Sequence, residues 1–544
     1  MRNANFDYTR RDFLVTAAAA AGVTALPVTP ARAAAKYTRY NVTSPQGQKM
    51  LASYAKGVEA MLKLPADHPQ NWFRNAFIHL MDCPHGNWWF YVWHRGYLGF
   101  FERSIRALSG DDSFAIPYWD WTELPQIPDG MFNGALTPTD KAYEPTTGNL
   151  ALFTDALTPP LTKYWNSLSP AQINQLNVRG FKTFQDLWNA TTGYDPSIKD
   201  GSTGNQAFAV TCSARYLSRD NPKLDAKTAV NVAPRMVLSG LLPPEFNNSD
   251  MTLSFTSAKT PSHNSMPGGL GSFSTLEGFP HNKVHNYIGG VGRTDPGPYG
   301  NMTNNLSPID PIFFLHHSNM DRLWDVWTRK QMRLKLPYLP EGQDLKTLSK
   351  EPFLFYVGGD GKYVGPTVAG DFLSTDVFDY DYQPGFGEEI VPPSSAVVAA
   401  ARSTKSLATA TIRANVASVA VPREAVQSHL SGAPSRRLMA QIVLQRPSGP
   451  AEREFDVLVD APDGVTQAAA DSPYYAGTFA FFGSMMQGMK MSHDVAIAFP
   501  LPDAPPAFTA LGAARQATVK IRLVPSHGLG VPGPTLRSVS VRAL

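Results

Sequence analysis

Six of the 12 histidines lie in three short stretches of the chain, where they could share two metal ions. They are His79, His85, His94, His281, His285 and His317. Neutral imidazole is the commonest metal ligand among protein side chains, so this concentration predicts a metal centre. His281 and His285 are four residues apart, which on a helix places both rings on one face, about 5–6 Å apart. We expect this pair to bind one ion together with His317, and the first three histidines to bind another.

The ligand type narrows the choice of metal. Carboxylate-bridged di-iron centres and binuclear hydrolases need Asp or Glu ligands, and no Glu-x-x-His pair occurs near these histidines. All-imidazole sites suit copper or zinc, and copper binds more tightly than zinc. Copper also changes oxidation state and can activate dioxygen, which zinc cannot. One buried histidine is more often a core residue than a ligand, but six at these spacings favour a binuclear site.

The histidines fall within or beside segments with helical periodicity. Helices are predicted at 44–64, 72–80, 93–108, 281–287 and 313–332. Long ordered loops with a few short helices are expected between 122 and 279. The two helices with His79 and His94 could pack against those with His281 and His317. We therefore expect a mainly α fold, with long loops and a four-helix bundle around a binuclear copper centre.

The length of 544 residues predicts more than one domain. Composition shifts near 382–385, and the following residues are rich in Pro, Ser and Ala, as linkers are. Short β-like runs follow at 439–444, 454–459, 478–482, 495–499, 519–524 and 538–541, which predicts a C-terminal β-sandwich. The predicted division is a signal peptide at 1–35, a catalytic domain at 36–384, a linker at 385–406 and a shielding sandwich at 407–544.

The first 35 residues have the pattern of a targeting segment. Arg10 and Arg11 form a twin-arginine signal, an apolar run covers 15–26, and small residues at 31–35 offer a cleavage site. The apolar run is shorter than the roughly 20 residues that span a bilayer, which disfavours a membrane anchor. We expect export by the twin-arginine machinery of a bacterium, to the periplasm or beyond, without stable membrane insertion. The net charge of +3 and scattered Lys and Arg disfavour nucleic acid as a partner.

Several motifs together resemble the type-3 copper family of tyrosinases and polyphenol oxidases. They are His85-x8-His94-Arg95, PYWDW at 117–121, His281-x3-His285 and DPIFFLHHSNMDRLW at 310–324. The resemblance covers about 39–382, and the Tyr-Asp-Tyr run at 380–382 is similar to the motif that closes that family's catalytic domain. It continues weakly at 454–457, which is similar to the C-terminal domain of plant-type polyphenol oxidases.

The resemblance implies that His79, His85 and His94 bind one copper and that His281, His285 and His317 bind the other. His316, just before the last ligand, is not a ligand in the family pattern. The first two histidines are closer together than is usual, and His68 is the alternative first ligand. Cys83 stands where fungal members join a cysteine to the second histidine by a thioether, here to His85. The alternatives are that Cys83 forms a disulfide with Cys212 or remains a free thiol.

Two further residues match family positions beside the second copper. The resemblance implies that Glu277 holds a water, and that Asn282 is the asparagine often found in enzymes that hydroxylate monophenols. A phenol has a pKa near 10 and must lose its proton to bind copper, so such a water could act as its base. The alternative is that Glu277 pairs with a surface lysine and Asn282 caps a helix. Supporting roles around the centre are predicted for Asp310, Asp321 and Arg322, and substrate-gate candidates are Met302 and Asn304.

The function that the resemblance implies is copper-dependent oxidation of phenols by O2. Monophenols would be hydroxylated at the ortho position and o-diphenols oxidised to o-quinones, with latency until the C-terminal domain is removed or displaced. The alternatives are a catechol or o-aminophenol oxidase without monophenolase activity, and oxygen carriage like that of hemocyanin. Four methionines and one histidine near the C-terminal end of the chain form a cluster that could bind Cu(I) and receive it from a copper-delivery partner. The alternative is that the cluster is a flexible apolar loop. Its members are Met485, Met486, Met489, Met491 and His493.

Overall fold

The computed structural model describes most of the chain. The described residues are 35–192, 215–265, 272–290, 300–392, 406–413, 415–432, 437–445, 452–482, 494–511, 516–528, 530 and 533–544. Residues 1–34 of the predicted signal peptide, Cys212 and the cluster at 485–493 lie outside them. Residues Tyr37–Leu544 form one compact unit, so the domain boundaries at 384 and 407 stay predictions.

The part of the chain before the linker is mainly helical. Its described α-helices are α1 (Pro45–Lys63), α2 (Trp72–Asp82), α3 (Phe90–Ser109), α4 (Leu150–Asn166), α5 (Pro170–Val178), α6 (Phe184–Thr192), α7 (Ala226–Asn231), α8 (Pro234–Leu241), α9 (Asn282–Gly289), α10 (Ile312–Leu334) and α11 (Gly342–Lys350). All five helices predicted from periodicity are present. Within the described part of 122–279, α4 is longer than the short helices expected there. No helix among the described residues is long and apolar enough to cross a membrane.

Local capping explains where the helices of the site begin and end. Asn71 accepts hydrogen bonds from the backbone N–H groups of Phe73 and Arg74 and starts α2. α3 begins at Phe90, three residues before the predicted start, and ends at Ser109, where Gly110 caps it with a left-handed φ of 73°. The start of α9 is preceded by a π-helical turn, Glu277–His281, that contains Pro280. Such turns are frequent at functional sites.

A buried ionic cluster ties the first strand to the end of the helical part. β1 (Tyr37–Arg39) pairs in parallel with β4 (Tyr380–Tyr382), and β2 (Pro352–Phe353) pairs with β3 (Thr367–Val368). The Arg39 guanidinium donates to Glu102, to Asp321 at 3.0 Å and to the Tyr382 hydroxyl at 2.8 Å. Because a buried charge needs a partner, this cluster holds both ends of the helical part together.

The C-terminal part is a β-sandwich, as predicted. Its strands are β5 (Ser406–Thr409), β6 (Thr411–Arg413), β7 (Val416–Pro422), β8 (Leu438–Gln445), β9 (Glu454–Val459), β10 (Tyr475–Ala480), β11 (Asp494–Pro500), β12 (Gln516–Pro525) and β13 (Thr535–Ala543), with α12 (Arg423–Leu430) after β7. One sheet has the order β10-β9-β12-β7-β6 and the other β11-β8-β13-β5. The six predicted strands are confirmed, and β5, β6, β7 and α12 were missed.

Three residues of the helical part belong to the hydrophobic core of the sandwich. Met236, Phe273 and Phe279 of the helical part pack in the same cluster as sandwich residues such as Phe479 and Ile497. The Phe273 backbone N–H donates to the Ala496 carbonyl at 2.8 Å, which extends the edge of β11. The contact lies next to the π-helical turn, so the sandwich abuts the predicted metal centre.

Candidate metal centre

The structure gathers all six predicted ligands into two groups of possible metal-binding side chains. One group is His79, Cys83, His85 and His94, and the other is His281, His285, His316 and His317. In each group the donor atoms lie within 4.8 Å of one another. His68 is in neither group, and its Nδ1 accepts a hydrogen bond from the Gln70 backbone. The short spacing between His79 and His85 therefore still brings both to one site.

Backbone carbonyls fix the orientation of three of these rings. The Nδ1 atoms of His79, His94 and His285 each lie 2.7 Å from a carbonyl oxygen, those of Asn305, Phe90 and Met302 respectively. A carbonyl can only accept, so Nδ1 carries the hydrogen and Nε2 offers its lone pair. Histidine ligands are commonly held this way, because the bond fixes both tautomer and ring orientation.

Three Nε2 atoms converge in the second group. That of His317 lies 3.1 Å from His285 Nε2 and 3.4 Å from His281 Nε2. An ion bound by imidazoles at about 2.0–2.1 Å keeps its ligand nitrogens about 3.4 Å apart in tetrahedral geometry. These separations therefore fit three nitrogens around one ion.

Burial keeps the imidazoles neutral, as metal ligands must be. It lowers the pKa of both His79 and His281 to about 3. The pKa values of His85, His94, His285 and His317 are also held well below the ordinary value by burial, with neighbouring histidines adding to the effect. Protons therefore do not compete with a metal for these lone pairs near neutral pH.

The two groups face each other across a short gap. The rings of His94 and His317 stack with centroids 4.1 Å apart, and those of His85 and His281 are 6.0 Å apart. Phe313 packs against both groups, with its centroid 5.0 Å from that of His79 and 4.1 Å from that of His317. Two ions held by the two groups would be close neighbours in an aromatic pocket.

His316 and Cys83 lie beside the predicted ligands. The His316 ring stacks on His281 with centroids 5.2 Å apart, and among the described residues no side chain forms a hydrogen bond with either of its nitrogens. Cys83 is buried and forms no disulfide among the described residues; its Sγ lies 3.7–3.8 Å from the ring nitrogens of His85 and 3.3 Å from His94 Nε2. Burial raises the pKa of this thiol well above its usual range.

Glu277 and Asn282 each have two partners in the structure. The Glu277 carboxyl accepts from the Gly86 backbone N–H at 2.6 Å and from the Ser257 hydroxyl, and burial raises its pKa to about 8. Asn282 Oδ1 lies 2.8 Å from His281 Nδ1, and its amide donates to the Ala480 carbonyl at 2.8 Å. Glu277 thus bonds to the loop after His85 and not to a surface lysine, which was the alternative interpretation. Asn282 orients the ring of His281, a predicted ligand.

The three charged residues predicted to support the centre form ion pairs. Asp310 pairs with Arg215, Asp321 pairs with Arg39 and Arg95, and Arg322 pairs with Asp120. Among the described residues their hydrogen bonds do not reach a histidine ring. They pair with arginine and aspartate side chains of other segments and so tie α10 and the residues before it to the rest of the helical part.

The two gate candidates differ in their relation to the centre. Met302 is fully buried, and its carbonyl accepts the His285 Nδ1 hydrogen. The Asn304 side chain bonds within its own turn, donating to the Gly300 carbonyl and accepting from the Leu306 backbone. Met302 thus contributes to the centre by orienting the His285 ring with its backbone carbonyl.

A residue of the C-terminal part lies against both histidine groups. Phe482 directly follows Phe481 after β10, and its ring centroid is 4.4 Å from that of His285 and 4.6 Å from that of His85. It also lies within 6.5 Å of His79 and His281. No feature of the sequence distinguished this phenylalanine from the others of the sandwich. An aromatic side chain therefore fills the space over the two groups.

Known proteins match the chain along most of its length. Residues 57–330, just over half of the chain, match the common central domain of tyrosinase. The chain is 24% identical over 512 residues to polyphenol oxidase II, chloroplastic, of Ipomoea batatas, covering 89% of this chain and 73% of that protein. It is 26% identical over 391 residues to tyrosinase HcTyr1 of Hahella sp. (strain CCB-MM4), covering 66% of this chain and 64% of that one.

Solved structures have the same fold over both parts of the chain. A latent aurone synthase (polyphenol oxidase) aligns with a TM-score of 0.54 at 19% identity, over 95% of this chain and 90% of that one. Latent apple tyrosinase aligns with a TM-score of 0.50 at 18% identity, over 95% and 98% respectively. The central-domain match and the two histidine groups thus agree: the chain belongs to the tyrosinase family of copper-dependent oxidoreductases, which oxidise phenols at a centre of two copper ions.

Proposed function

We propose that the chain is a polyphenol oxidase that hydroxylates monophenols at the ortho position and oxidises o-diphenols to o-quinones. His79, His85 and His94 hold one copper, and His281, His285 and His317 hold the other. The convergence of three Nε2 atoms at 3.1–3.4 Å in the second group carries this proposal. When bound, the copper pair supplies the redox chemistry with O2.

The chain's own contribution is to hold the ions, exclude water and orient the phenol ring. The pocket walls are aromatic, with Phe90 and Phe313 packed against the ligand rings. Burial raises the pKa of Glu277 to about 8, so its deprotonated form, the minor form at neutral pH, is a stronger base towards a phenol than an ordinary carboxylate. Asn282 keeps His281 in the tautomer that offers its Nε2.

Glu277→Gln is expected to separate the two activities. We expect monophenol hydroxylation to fall on the order of 10²-fold, because a general base is lost, while o-diphenol oxidation falls by less than about tenfold. Initial rates on a monophenol and its matching catechol measure the two. Equal losses on both substrates would assign Glu277 a purely structural role through Gly86 and Ser257.

The second candidate function is oxidation limited to catechols or o-aminophenols. It is favoured by the bonds that both Glu277 oxygens already accept from Gly86 and Ser257, which compete with a water for this carboxylate. An unmodified enzyme that oxidises catechols but never forms product from the matching monophenols would support this candidate.

The position of Phe482 supports the latency that the sequence predicts. Its ring lies where the ring of a phenol would contact both histidine groups. We propose that it blocks substrate entry while the C-terminal part is in place, so that removal or displacement of that part activates the enzyme.

Cys83 Sγ lies 3.7–3.8 Å from the ring nitrogens of His85, and this contact supports a proposed thioether bond between the two side chains. Such a bond would form with the loss of two hydrogens to an oxidant and would restrict the imidazole. Intact-mass measurement of the mature protein distinguishes the thioether from a free thiol, and peptide mapping under non-reducing conditions detects a Cys83–Cys212 disulfide.

We further propose export through the twin-arginine machinery, with copper supplied by a delivery partner or by the cluster at 485–493. Replacing Arg10 and Arg11 together with lysine should retain the protein inside a bacterial host with its signal uncleaved, because this route reads the arginine pair. Fractionation and N-terminal mass measure the result, and unchanged export would contradict it.

The role of the cluster at 485–493 in copper supply is tested by replacing its methionines. Unchanged copper loading of the purified variant would remove that role.

A further inference from the structure

A buried ion pair joins the second histidine group to the β-sandwich. Lys283 lies on α9 between His281 and His285, and its Nζ donates to Glu454 Oε2 at 2.6 Å. Their side chains are 2% and 0% exposed. Glu454 is the first residue of β9, so the contact links α9, which carries His285 and directly follows His281, to a strand of the sandwich.

Glu454 holds α9 at more than one point. Its Oε1 also accepts from the Asn286 amide at 3.2 Å, and Asn286 donates to the Phe481 carbonyl at 3.1 Å. Burial raises the pKa of Glu454, but the charge of Lys283 and a hydrogen bond with His527 outweigh burial and hold that pKa at about 2. The carboxylate is therefore charged at any pH where the enzyme works.

The short length of α9 makes these contacts important for its position. The helix has eight residues, and isolated helices below about 12–15 residues are marginal in water. Its orientation must therefore come from packing. Asn282, Lys283 and Asn286 lie on a different side of the helix from His281 and His285, and all three bond to the sandwich.

We propose that Glu454 is a positioning residue for the second copper, which it serves by fixing α9 through Lys283 and Asn286. This inference rests on the proposed assignment of His281 and His285 as ligands. The sandwich then has two roles, because it blocks the pocket with Phe482 and also holds the metal-binding helix. Removing it should give an enzyme that is open but loses copper faster.

A second ion pair at the same strand supplies a matched control. Lys227 Nζ lies 2.6 Å from Asp456 Oδ2, also on β9, but Lys227 is on α7, which has no predicted ligand. Lys283→Met and Lys227→Met each remove the lysine partner of a buried β9 carboxylate. A general loss of stability therefore affects both variants, whereas an effect on metal retention is confined to the first.

The test is copper release from the loaded full-length chain to an excess of chelator. Lys283→Met should release one of its two coppers at least about tenfold faster than the unmodified protein. Loss of a residue that positions a metal ligand commonly lowers metal affinity by about that factor or more. Lys227→Met should stay within about twofold, and Lys283→Arg should restore slow release because it keeps the charge. Equal release from Lys283→Met and Lys227→Met would overturn the inference.

A double variant tests the inference even if Lys283→Met alone does not fold. Lys283→Met with Glu454→Met leaves no unpaired buried charge, so thermal unfolding of the metal-free protein should stay near that of the unmodified chain. We still expect fast copper release, and slow release would contradict the positioning role. An unmodified chain that binds no copper would instead contradict the proposed function itself.

Discussion

Phe482→Ala should raise catechol oxidation by the full-length chain on the order of tenfold or more. If the site is open only part of the time, its apparent affinity for the phenol is reduced in proportion to the open fraction. Removing the blocking ring should therefore restore the full affinity. The ring lies 4.4–4.6 Å from those of His85 and His285, while the histidine contacts with the protein backbone do not depend on it. The effect should therefore appear mainly in KM.

Phe482→Leu is the matched control, because it keeps an apolar side chain of similar reach. It should remain latent, and cleavage of the linker in the unmodified chain should activate as Phe482→Ala does. If Phe482→Ala binds two coppers but gains little activity, the blocking role is wrong. In that case oxygen carriage becomes the better account, since a carrier gains little when its site is opened.

His317→Gln should lose one copper per chain and all detectable phenol oxidation. Its Nε2 is the atom that meets both His281 and His285 at 3.1–3.4 Å, so two ligands would remain for the second ion. Metal analysis of the purified variant measures the loss. The matched change His316→Gln should keep two coppers and lose activity by about 10- to 100-fold, the range for residues just outside the ligand shell.

The comparison between these neighbours also tests the ligand assignment. Both imidazoles fall in the same group, and no side chain in the described part of the chain forms a hydrogen bond with either nitrogen of His316. Loss of a copper in His316→Gln with retention in His317→Gln would reverse the assignment.

Much of the centre could be predicted because ligand type and spacing are local properties. His281 and His285 lie one helical turn apart, and the sequence places His317 on a strongly periodic helix, so the second group follows from residue types alone. The first group also formed, despite the short spacing between His79 and His85, because α2 ends at Asp82 and a loop returns the chain to α3.

The contacts from the sandwich could not be predicted in the same way. Phe482 is 197 positions from His285 and Glu454 is 171 from Lys283, and no local pattern pairs residues so far apart. Strand β7 was missed although Ala417, Val419 and Val421 alternate into the core, because small residues weaken the period-two signal. Asp310 and Asp321 were placed near the centre, but only the fold shows that arginines are their partners.

Metal analysis of the purified full-length protein, combined with titration by hydrogen peroxide, tests the central claim most directly. The two histidine groups predict two coppers per chain and a near-ultraviolet absorption band that grows with added peroxide, as a coupled copper pair gives. Zinc in place of copper, or a single copper without the band, would contradict a binuclear copper centre in this chain.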